Sequence, residues 1–414
     1  MNQLVPGTPS LLRAINDRHA LQVLLDRGPL TRPELGALTG LSKPTASQLL
    51  ARLQEAGLVV LDGIREGLPG RTAELYRINA AAAHVAALDV TPAGIDVAVA
   101  DLAGTVVAEH RLPTPGRGAA GAGESGEKGV VAKVRAALAG AGPDLPPPHR
   151  VVIGIQGAID PGTGRLGYAA HIPGWHIPDL LGALRDGVGV PVDVENDVNL
   201  VALAEQAHGT ARGHRDFVLL WADAGIGSAL VLGGRLHRGA TGGAGEVGYM
   251  PTVGAPTVRE VGRRADHGFQ ALSGGPAVLR VLREHGLRGA TPAVAVRHAV
   301  RAAEGGGKLA PAAQEALREV AARLAMGLAA VTAVVDPELI VLSGGVLLAG
   351  GETLRGLLER ELHALCLPRP PLRLSTVAGN PVLAGGLHLA LDTVRDEVFS
   401  STKVVSVLPT GAQG

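Results

Sequence analysis

The apolar positions of residues 31–57 repeat with the spacing of two short α-helices joined by a tight turn. Thr31 and Glu34 stand three positions apart, which predicts a capping box at the start of the first helix. Gly40 interrupts the pattern, and Ser42 is placed to cap the second helix. One stripe of the second helix is apolar, formed by Ala46, Leu49, Leu50 and Leu53. The pattern therefore predicts a helix-turn-helix unit.

The segments on either side extend this unit. An apolar-periodic stretch over residues 8–27 predicts a preceding helix. Apolar residues at 58–61 and 73–78 predict two strands, and the glycine-rich region 62–72 between them predicts a turn. This order of helices and hairpin indicates a winged helix-turn-helix, which we place at residues 8–79. The alternative interpretation is an ordinary helical hairpin with a solvated polar face.

The polar residues of this unit suit contact with duplex DNA. Short hydroxyl and amide side chains at the start of the second helix can reach base edges, and the helix dipole favours phosphate. Basic residues at the hairpin tip can reach backbone phosphate or the minor groove. The predicted DNA-binding residues are Thr31, Ser42, Lys43, Thr45, Ser47, Gln48, Arg52, Arg65 and Arg71. The predicted partner is double-stranded operator DNA.

From residue 84 onward the pattern changes to one typical of strands. The first half predicts a three-stranded meander, then a helix and two strands, at 84–112, 130–138, 151–156 and 192–195. The same order recurs later, with strands within 216–238, a long helix at 311–335, a strand at 339–342 and a helix at 381–391. This repetition predicts an α/β body of two lobes over residues 84–395, with a ligand cleft between the lobes. Residues 396–414 have no clear period and are expected to form a tail.

Composition narrows the class of protein. Apolar residues make up 46% of the 414 positions and aromatic residues 2%, so a large core of alanine, valine and leucine is expected. The formal net charge is zero, and residues 1–80 carry nine basic against seven acidic side chains. DNA binding must then depend on individual side chains rather than on a large positive field, and it would gain from a dimer.

Cysteine content and hydropathy exclude several other classes. Cys366 is the only cysteine, which excludes disulfides within the chain and a zinc site built from cysteines. The longest apolar run, 324–335, is too short to cross a bilayer, and the first residues lack the pattern of a signal peptide. We therefore expect a cytoplasmic protein that does not contact a membrane.

Four short segments occur in a fixed order along the chain. They are Leu41–Thr45, His171–Trp175, Glu195–Asn199, and Gly225–Gly227 leading to Arg238–Tyr249. Each is weak alone, but the ordered set resembles the ROK family (repressors, open reading frames and sugar kinases), specifically its transcriptional regulators. The resemblance covers residues 8–395. It implies a winged helix-turn-helix fused to a two-lobed sugar-kinase-like body of the actin-like, ribonuclease H-like type.

Kinases of this family hold ATP phosphates on glycine-rich turns, and the first of these turns is altered here. The family pattern Asp-x-Gly-Gly-Thr is replaced by Asp-Val-Thr-Pro-Ala at residues 89–93. Both glycines are gone, and Pro92 has no amide hydrogen to offer a phosphate. The second turn, Ala224–Gly227, is better kept, and the strand end at Ser343–Gly345 is ambiguous. We therefore expect weak or no ATP binding.

The resemblance also implies a sugar site. Asn196 and Asp197 match the family's sugar-binding asparagine and the aspartate that acts as general base on a sugar hydroxyl. Without a phosphoryl donor, Asp197 would bind rather than catalyse, and Asn196 also has the right position to cap the helix that follows. The predicted effector-binding residues are Gly157, His171, Asn196, Asp197, Glu246, Tyr249 and Gln270.

Three of these positions depart from the family pattern. Family members usually carry asparagine at the position of His171, histidine at Tyr249 and glutamate at Gln270. That histidine and several cysteines normally hold a structural zinc ion. Because no cysteine lies between Tyr249 and Gln270, we expect neither a metal nor another cofactor. Packing of Tyr249, Met250 and Phe269 would then hold the loop.

Together these features predict a DNA-binding repressor that responds to a sugar or sugar-derived effector in a kinase-like cleft without phosphorylating it. A homodimer, or a dimer of dimers, would present two heads to half-sites about 34 Å apart. Two alternatives remain open. One is an active ATP-dependent sugar kinase with a DNA-binding head, and the other is a repressor whose body serves only for dimerisation.

Overall fold

The computed structural model describes residues 9–66, 72–114, 126–142, 144–167, 174–262 and 266–400. Its α-helices are α1 (Pro9–Arg27), α2 (Arg32–Thr39), α3 (Lys43–Glu55), α4 (Glu127–Ala141), α5 (Leu180–Val188), α6 (Asp197–His208), α7 (Val258–Val261), α8 (Gly268–Ser273), α9 (Gly275–Glu284), α10 (Pro292–Glu304), α11 (Ala310–Val335), α12 (Gly345–Leu365) and α13 (Pro381–Ser400). Its strands are β1 (Leu30–Thr31), β2 (Val59–Glu66), β3 (Thr72–Ile78), β4 (His84–Thr91), β5 (Gly94–Asp101), β6 (Val106–Pro113), β7 (Arg150–Ile155), β8 (Ala158–Ile159), β9 (Leu166–Gly167), β10 (Val192–Asn196), β11 (Phe217–Ala222), β12 (Ile226–Leu232), β13 (Arg235–Leu236), β14 (Leu339–Ser343) and β15 (Leu372–Leu374).

The N-terminal head combines three helices with a β-hairpin, which confirms the predicted winged helix-turn-helix. Thr31 and Glu34 form the expected capping box, in which the Thr31 amide donates to Glu34 Oε2 at 2.8 Å. α2 ends at Gly40, whose φ of +69° is the left-handed conformation that glycine adopts most easily. Ser42 caps α3, and the apolar stripe of α3 is buried in the core of the head.

The hairpin is longer than its apolar pattern indicated. β2 continues to Glu66 because it resumes pairing with β3 after an irregularity between Leu61 and Ile64. Gly63 lies at this irregularity with a φ of +102°. Part of the predicted turn is therefore strand. The tip of the hairpin, residues 67–71 including Arg71, lies outside the described residues.

The body contains two five-stranded sheets with the same strand order. The sheets run β10-β7-β4-β5-β6 and β13-β12-β11-β14-β15. In each sheet, three consecutive strands form an antiparallel meander, and two later strands are added in parallel beside the first strand of that meander. Parallel neighbours require crossover connections, and helices supply them here. This topology confirms the predicted duplicated α/β body of two lobes.

The first residues of α13 pack against the first lobe. Gly385 lies so close to α6 that a β-carbon there would sit 1.8 Å from the Leu200 carbonyl oxygen. Gly386 lies close to β4, where a β-carbon would be 2.8 Å from the Ala87 side chain. Glycine is therefore required for the helix to approach these elements, and α13 is held firmly on the lobe.

The far end of α13 contacts the head. Arg18 of α1 pairs with Asp396 at 2.5 Å, and Phe399 is 2% exposed in one continuous hydrophobic core with Leu21 and Leu24. The predicted helix at 381–391 is therefore too short, and residues 396–400 belong to α13 rather than to a tail. Residues 401–414 lie outside the described residues. Within the part of the chain that the structure describes, no helix has the length and apolar character needed to cross a membrane.

Candidate functional site

The start of α3 carries several predicted DNA contacts on an open surface. Ser42, Lys43, Thr45 and Gln48 are exposed, and Ser47 is half-buried. The Ser42 and Thr45 hydroxyl oxygens lie 2.8 Å apart and share a hydrogen bond. The helix thus presents short polar side chains and one lysine to solvent, which suits a helix that enters a major groove.

Thr31 and Arg52 differ from the prediction because both have structural partners. Thr31 is 6% exposed, and its hydroxyl donates to Glu34 Oε2 at 2.9 Å, so it caps α2 instead of facing DNA. Arg52 forms a two-point ion pair with Asp17 of α1, whose side chain is 1% exposed. An arginine that neutralises a buried carboxylate is tied to the core of the head.

Arg65 lies on the hairpin, where its guanidinium is 2.6 Å from Glu34 Oε1. Both side chains are largely exposed, so this ion pair is weak and a DNA phosphate can compete for the guanidinium. The Thr31 amide, its hydroxyl and then Arg65 hold the pKa of Glu34 below its ordinary value. The wing and α2 are thereby linked through one carboxylate.

The carboxyl ends of β7 and β10 bring part of the predicted effector site together. Asn196 ends β10 and Asp197 begins α6. Asn196 Nδ2 donates to the Gly157 carbonyl oxygen at 2.9 Å, and its Oδ1 accepts the Asn199 amide at 3.0 Å. Asn196 is therefore a helix cap, as its spacing indicated, and it also fixes the backbone of Gly157 beside Asp197.

Three carboxylates form an electrostatically coupled group at this place. Burial, together with the charge of Asp89, raises the pKa of Asp197 to about 6. Burial, together with the charge of Asp197, raises the pKa of Glu246 to about 7. Burial also raises the pKa of Asp89, although the Asn380 amide donates to Asp89 Oδ2 at 2.8 Å. Such shifts are concentrated at functional sites, which supports a ligand cleft here.

A glycine-rich segment, residues 239–246, brings Glu246 from the second lobe to the first. At Gly242 a β-carbon would lie 2.5 Å from the Ile159 carbonyl oxygen on β8, so only glycine fits. Just before this segment, Arg238 Nε donates to Glu195 Oε2 on β10 at 2.6 Å. These two contacts across the lobes fix the position of Glu246 relative to Asp197.

Sequence reasoning missed three residues that shape the cleft, namely Glu195, Arg238 and Asn380. Each has a partner that is distant along the chain, with separations of 43 residues for the arginine pair and 291 for Asn380 and Asp89. No local spacing signals such contacts. Glu195 and Arg238 begin two of the family-like segments, but nothing in those segments indicates that the two side chains pair.

Two other predicted effector residues lie on the second lobe. Gln270 accepts the Ile226 amide at 2.9 Å through Oε1 and donates from Nε2 to the Ala224 carbonyl oxygen at 3.2 Å. Both polar atoms of this side chain therefore support the turn between β11 and β12. Tyr249 is 41% exposed, with its ring 5.5 Å from that of His267. His171 lies outside the described residues.

The residues around Tyr249 do not fit the zinc ion that the family resemblance implies. A phenol stands where the family has histidine, and the nearby sequence offers no cysteine. Among the described residues, no three His, Cys, Asp or Glu side chains group together in a way suited to a metal ion. The loop is held by packing, since Phe269 is fully buried and its amide donates to the Met250 carbonyl oxygen at 2.9 Å.

Two family patterns match different parts of the sequence. The pattern of the MarR family matches residues 15–66, within the head, and the pattern of the ROK family matches residues 85–367, most of the body. The chain belongs to the ROK family. The ROK match covers both lobes and includes Asn196, Asp197 and Glu246.

Relatives within the ROK family carry different names. The "Putative xylose repressor" of Caldicellulosiruptor sp. is 27% identical over 248 residues, 59% of this chain, and the match spans 60% of that relative's length. A ROK family transcriptional regulator, described as a homologue of the E. coli MLC protein, shares the fold with a TM-score of 0.72 at 18% identity, over 94% of this chain and 98% of that one. The ROK hexokinase from Thermus thermophilus has a TM-score of 0.60 at 27% identity, over 76% of this chain and 99% of that one.

Proposed function

We propose that this ROK protein is a transcriptional repressor that binds operator DNA through α3 and responds to a sugar in the cleft. The observation that carries the proposal is the exposed polar start of α3 on a winged head that shares its hydrophobic core with the body. Lys43 suits a phosphate contact, while Thr45 and Gln48 suit base edges. The similarity to the Caldicellulosiruptor relative supports the same role.

Two copies of the chain would bind one operator. A single head carries only a small excess of basic residues, so one head alone would bind DNA weakly at physiological salt. A homodimer adds a second reading helix at a half-site about 34 Å away. The affinity of the dimer then depends on the distance and angle between its heads, which gives the body a means of control.

The cleft suits a neutral ligand with several hydroxyl groups. The carboxylates of Asp197 and Glu246 can accept hydrogen bonds from sugar hydroxyls. Phosphoryl transfer is not part of this proposal because the first turn lacks the backbone a phosphate needs. Pro92 has no amide hydrogen, and the Thr91 hydroxyl donates to the Gly94 carbonyl oxygen at 3.0 Å.

α13 is the element that would carry the signal from the cleft to the head. At its start, Asn380 donates to Asp89 and accepts the Val382 amide at 3.0 Å, so it joins the cleft to the helix. At its end, Phe399 lies in the core of the head. A helix of 20 residues spans about 30 Å as a rigid unit. A displacement at Asp89 would therefore reach α1.

The proposal is tested by measuring the affinity of the protein for duplexes selected from a random pool. The measurement is repeated with a panel of neutral sugars that includes xylose. We expect wild type to bind a defined sequence, and one sugar to change its affinity by about 5- to 150-fold. Gln48→Ala should lose about 10- to 100-fold in affinity for that sequence. Gln54→Ala, exposed further along the same helix, is the matched control and should bind normally.

Absence of any sequence-specific binding by wild type would refute the repressor proposal. Specific binding that no sugar alters would support the repressor function but refute the sugar response. The body would then serve only for dimerisation. Thermal unfolding with the same sugars separates these outcomes, because any ligand that binds the folded state must raise the melting temperature.

A sugar kinase with a DNA-binding head is the second candidate. It is favoured by Asp197, whose pKa of about 6 suits a general base near neutral pH. A coupled assay of ADP release with hexoses and pentoses distinguishes the two functions. Sugar-dependent ADP release that disappears in Asp197→Asn would establish the kinase, whereas no release from wild type supports sensing alone.

A further inference from the structure

The turn between β11 and β12, residues 223–225, meets the start of α12. The Asp223 carboxylate lies over the first residue of that helix, with its atoms 3.1–3.2 Å from the place that a β-carbon of Gly345 would occupy. The backbone amides of Ala224 and Gly345 favour the charged form of this carboxylate and so act against the rise in its pKa that burial causes. The cap position of α12 is Gly344, which has no side chain to use as a cap. The Asp223 carboxylate therefore lies where a capping side chain would lie at the start of α12, although it comes from a distant part of the chain.

Other polar groups at the turn are paired within the chain. The Ala224 carbonyl oxygen accepts the amide of Gly275, the first residue of α9, at 3.1 Å. Gln270 binds the same carbonyl and accepts the Ile226 amide, as described above. At the junction of two helix starts, the Ile226 amide is thus bound by a side-chain oxygen, and the amides of Ala224 and Gly345 favour the charge of the Asp223 carboxylate.

Backbone amides at a helix start are the groups that bind phosphate in proteins, because they point at the ligand and the helix dipole favours a negative charge. We propose that the Asp223 carboxylate is a built-in anion at the start of α12. This carboxylate occupies the place that a ligand phosphate would need. It thereby closes this half of the cleft to nucleotides and other phosphate esters. Gln270 completes the closure by engaging the Ile226 amide.

Two effects act in opposite directions on the charge of Asp223. Burial raises the pKa of Asp223, while the amides of Ala224 and Gly345 oppose that rise by stabilising the charged form. A phosphate brought within about 4 Å would be repelled by this charge and would compete for the same donors. The inference goes beyond the proposed repressor function, since it concerns the second lobe alone and assigns no role in DNA binding.

The inference is tested by measuring the melting temperature of the 414-residue chain with added inorganic phosphate or pyrophosphate. The ionic strength is held constant with sodium chloride. Wild type should show no rise in melting temperature beyond the chloride control. Asp223→Ala should melt at a lower temperature, because the cap is lost. Millimolar phosphate should then raise its melting temperature in a saturable manner, since the freed amides can bind it.

Asp179→Ala is the matched control. Asp179 caps α5 by accepting the Gly182 amide at 2.9 Å, so its removal also uncaps one helix with a carboxylate cap. The control should melt at a lower temperature but show no phosphate response, because the Asp179 carboxylate accepts an amide of a single helix start, although the turn at Gly164 also lies against it. An equal response in Asp179→Ala would show that any uncapped helix suffices and would overturn the assignment to Asp223.

A measurement on wild type keeps the inference testable should Asp223→Ala fail to fold. The Gly345 amide resonance should shift as Asp223 titrates and should stay unchanged on addition of phosphate. The inference is overturned when phosphate perturbs this resonance in wild type, or when a folded Asp223→Ala gains no phosphate response. Failure of operator binding or of sugar sensing would leave these outcomes unchanged, so the two proposals can fail separately.

Discussion

A buried carboxylate of α1 depends on Arg52. Asp17 is 1% exposed, and the Arg52 guanidinium donates to both of its oxygens. Removing the arginine would leave a buried charge without its partner, which costs about 3–5 kcal/mol in proteins. Because the Arg52 side chain is itself 36% exposed, we expect the lower end of this range.

We predict that Arg52→Ala lowers the free energy of unfolding by about 3 kcal/mol, measured by urea denaturation. Gln48→Ala, on the exposed face of the same helix, is the control and should stay within about 0.5 kcal/mol of wild type. Unchanged stability of Arg52→Ala together with lost operator binding would contradict the structural role and favour a direct DNA contact.

Sequence reasoning assigned the correct role to residues whose hydrogen-bond partners are close along the chain. Ser42 and Asn196 each precede a helix and each caps it. Arg52 was assigned to DNA because it falls outside the apolar stripe of α3, and its partner Asp17 lies 35 positions away. Gln270 likewise bonds to a turn 44 to 46 positions away. A spacing argument cannot find such pairs, since only the tertiary fold brings them together.

Asp197 at the start of α6 and Glu246 in the segment 239–246 form a pair of buried carboxylates. This pair lowers the stability of the folded state by an amount that depends on pH. The folded-state pKa values are about 6 for Asp197 and about 7 for Glu246, against ordinary values of 3.8 and 4.5. The folded state therefore retains protons that the unfolded state has already released. The contribution of this pair to stability is greatest at acidic pH and falls as the pH rises through 6 and 7.

We predict that the double variant Asp197→Asn, Glu246→Gln has a higher free energy of unfolding than wild type at pH 8, and that the difference shrinks towards pH 5. Urea denaturation across this pH range measures it. Asp144→Asn, an exposed aspartate outside the cleft, is the control and should follow wild type. Parallel pH profiles for wild type and the double variant would show that folding does not raise the pKa values of these two carboxyl groups.

Periodicity predicted the elements of the body well where burial alternates or repeats within one element. Both meanders and the long helix α11 were found at nearly their observed bounds. α13 was predicted nine residues too short, because the contacts of residues after 391 are made with distant parts of the chain. Phe399 lies in a core with α1, while Arg395 and Glu397 bond to the first lobe. β2 was predicted to end at Leu61, because its continuation depends on pairing with β3 beyond a bulge.

At the scale of the whole molecule, head and body are not independent units. The sequence places a boundary at residues 80–83, and a short 3-10 helix, Ala80–Ala82, lies there. The hydrophobic core nevertheless runs across this boundary, from Leu21 and Leu24 of α1 to Val394 and Phe399 of α13. The proposed signal from the cleft to the head depends on this contact.

We predict that Phe399→Ala lowers the free energy of unfolding by about 3 kcal/mol and weakens the sugar response of operator binding. The ratio of operator affinities with and without sugar should fall towards one, because α13 no longer holds α1. Leu348→Ala, 48% exposed on α12, is the control and should keep both stability and response. A full sugar response in a folded Phe399→Ala would exclude α13 as the connection.

The contact between α1 and α13 joins two segments that are synthesised at different times. The helices of the head leave the ribosome before the surface that completes their core, with Val394 and Phe399, has been translated. A nascent or prematurely terminated chain that ends before residue 381 leaves Leu21 and Leu24 only partly covered. Its head is incomplete, so in the proposed repressor an unfinished chain would compete poorly for operators with a finished one.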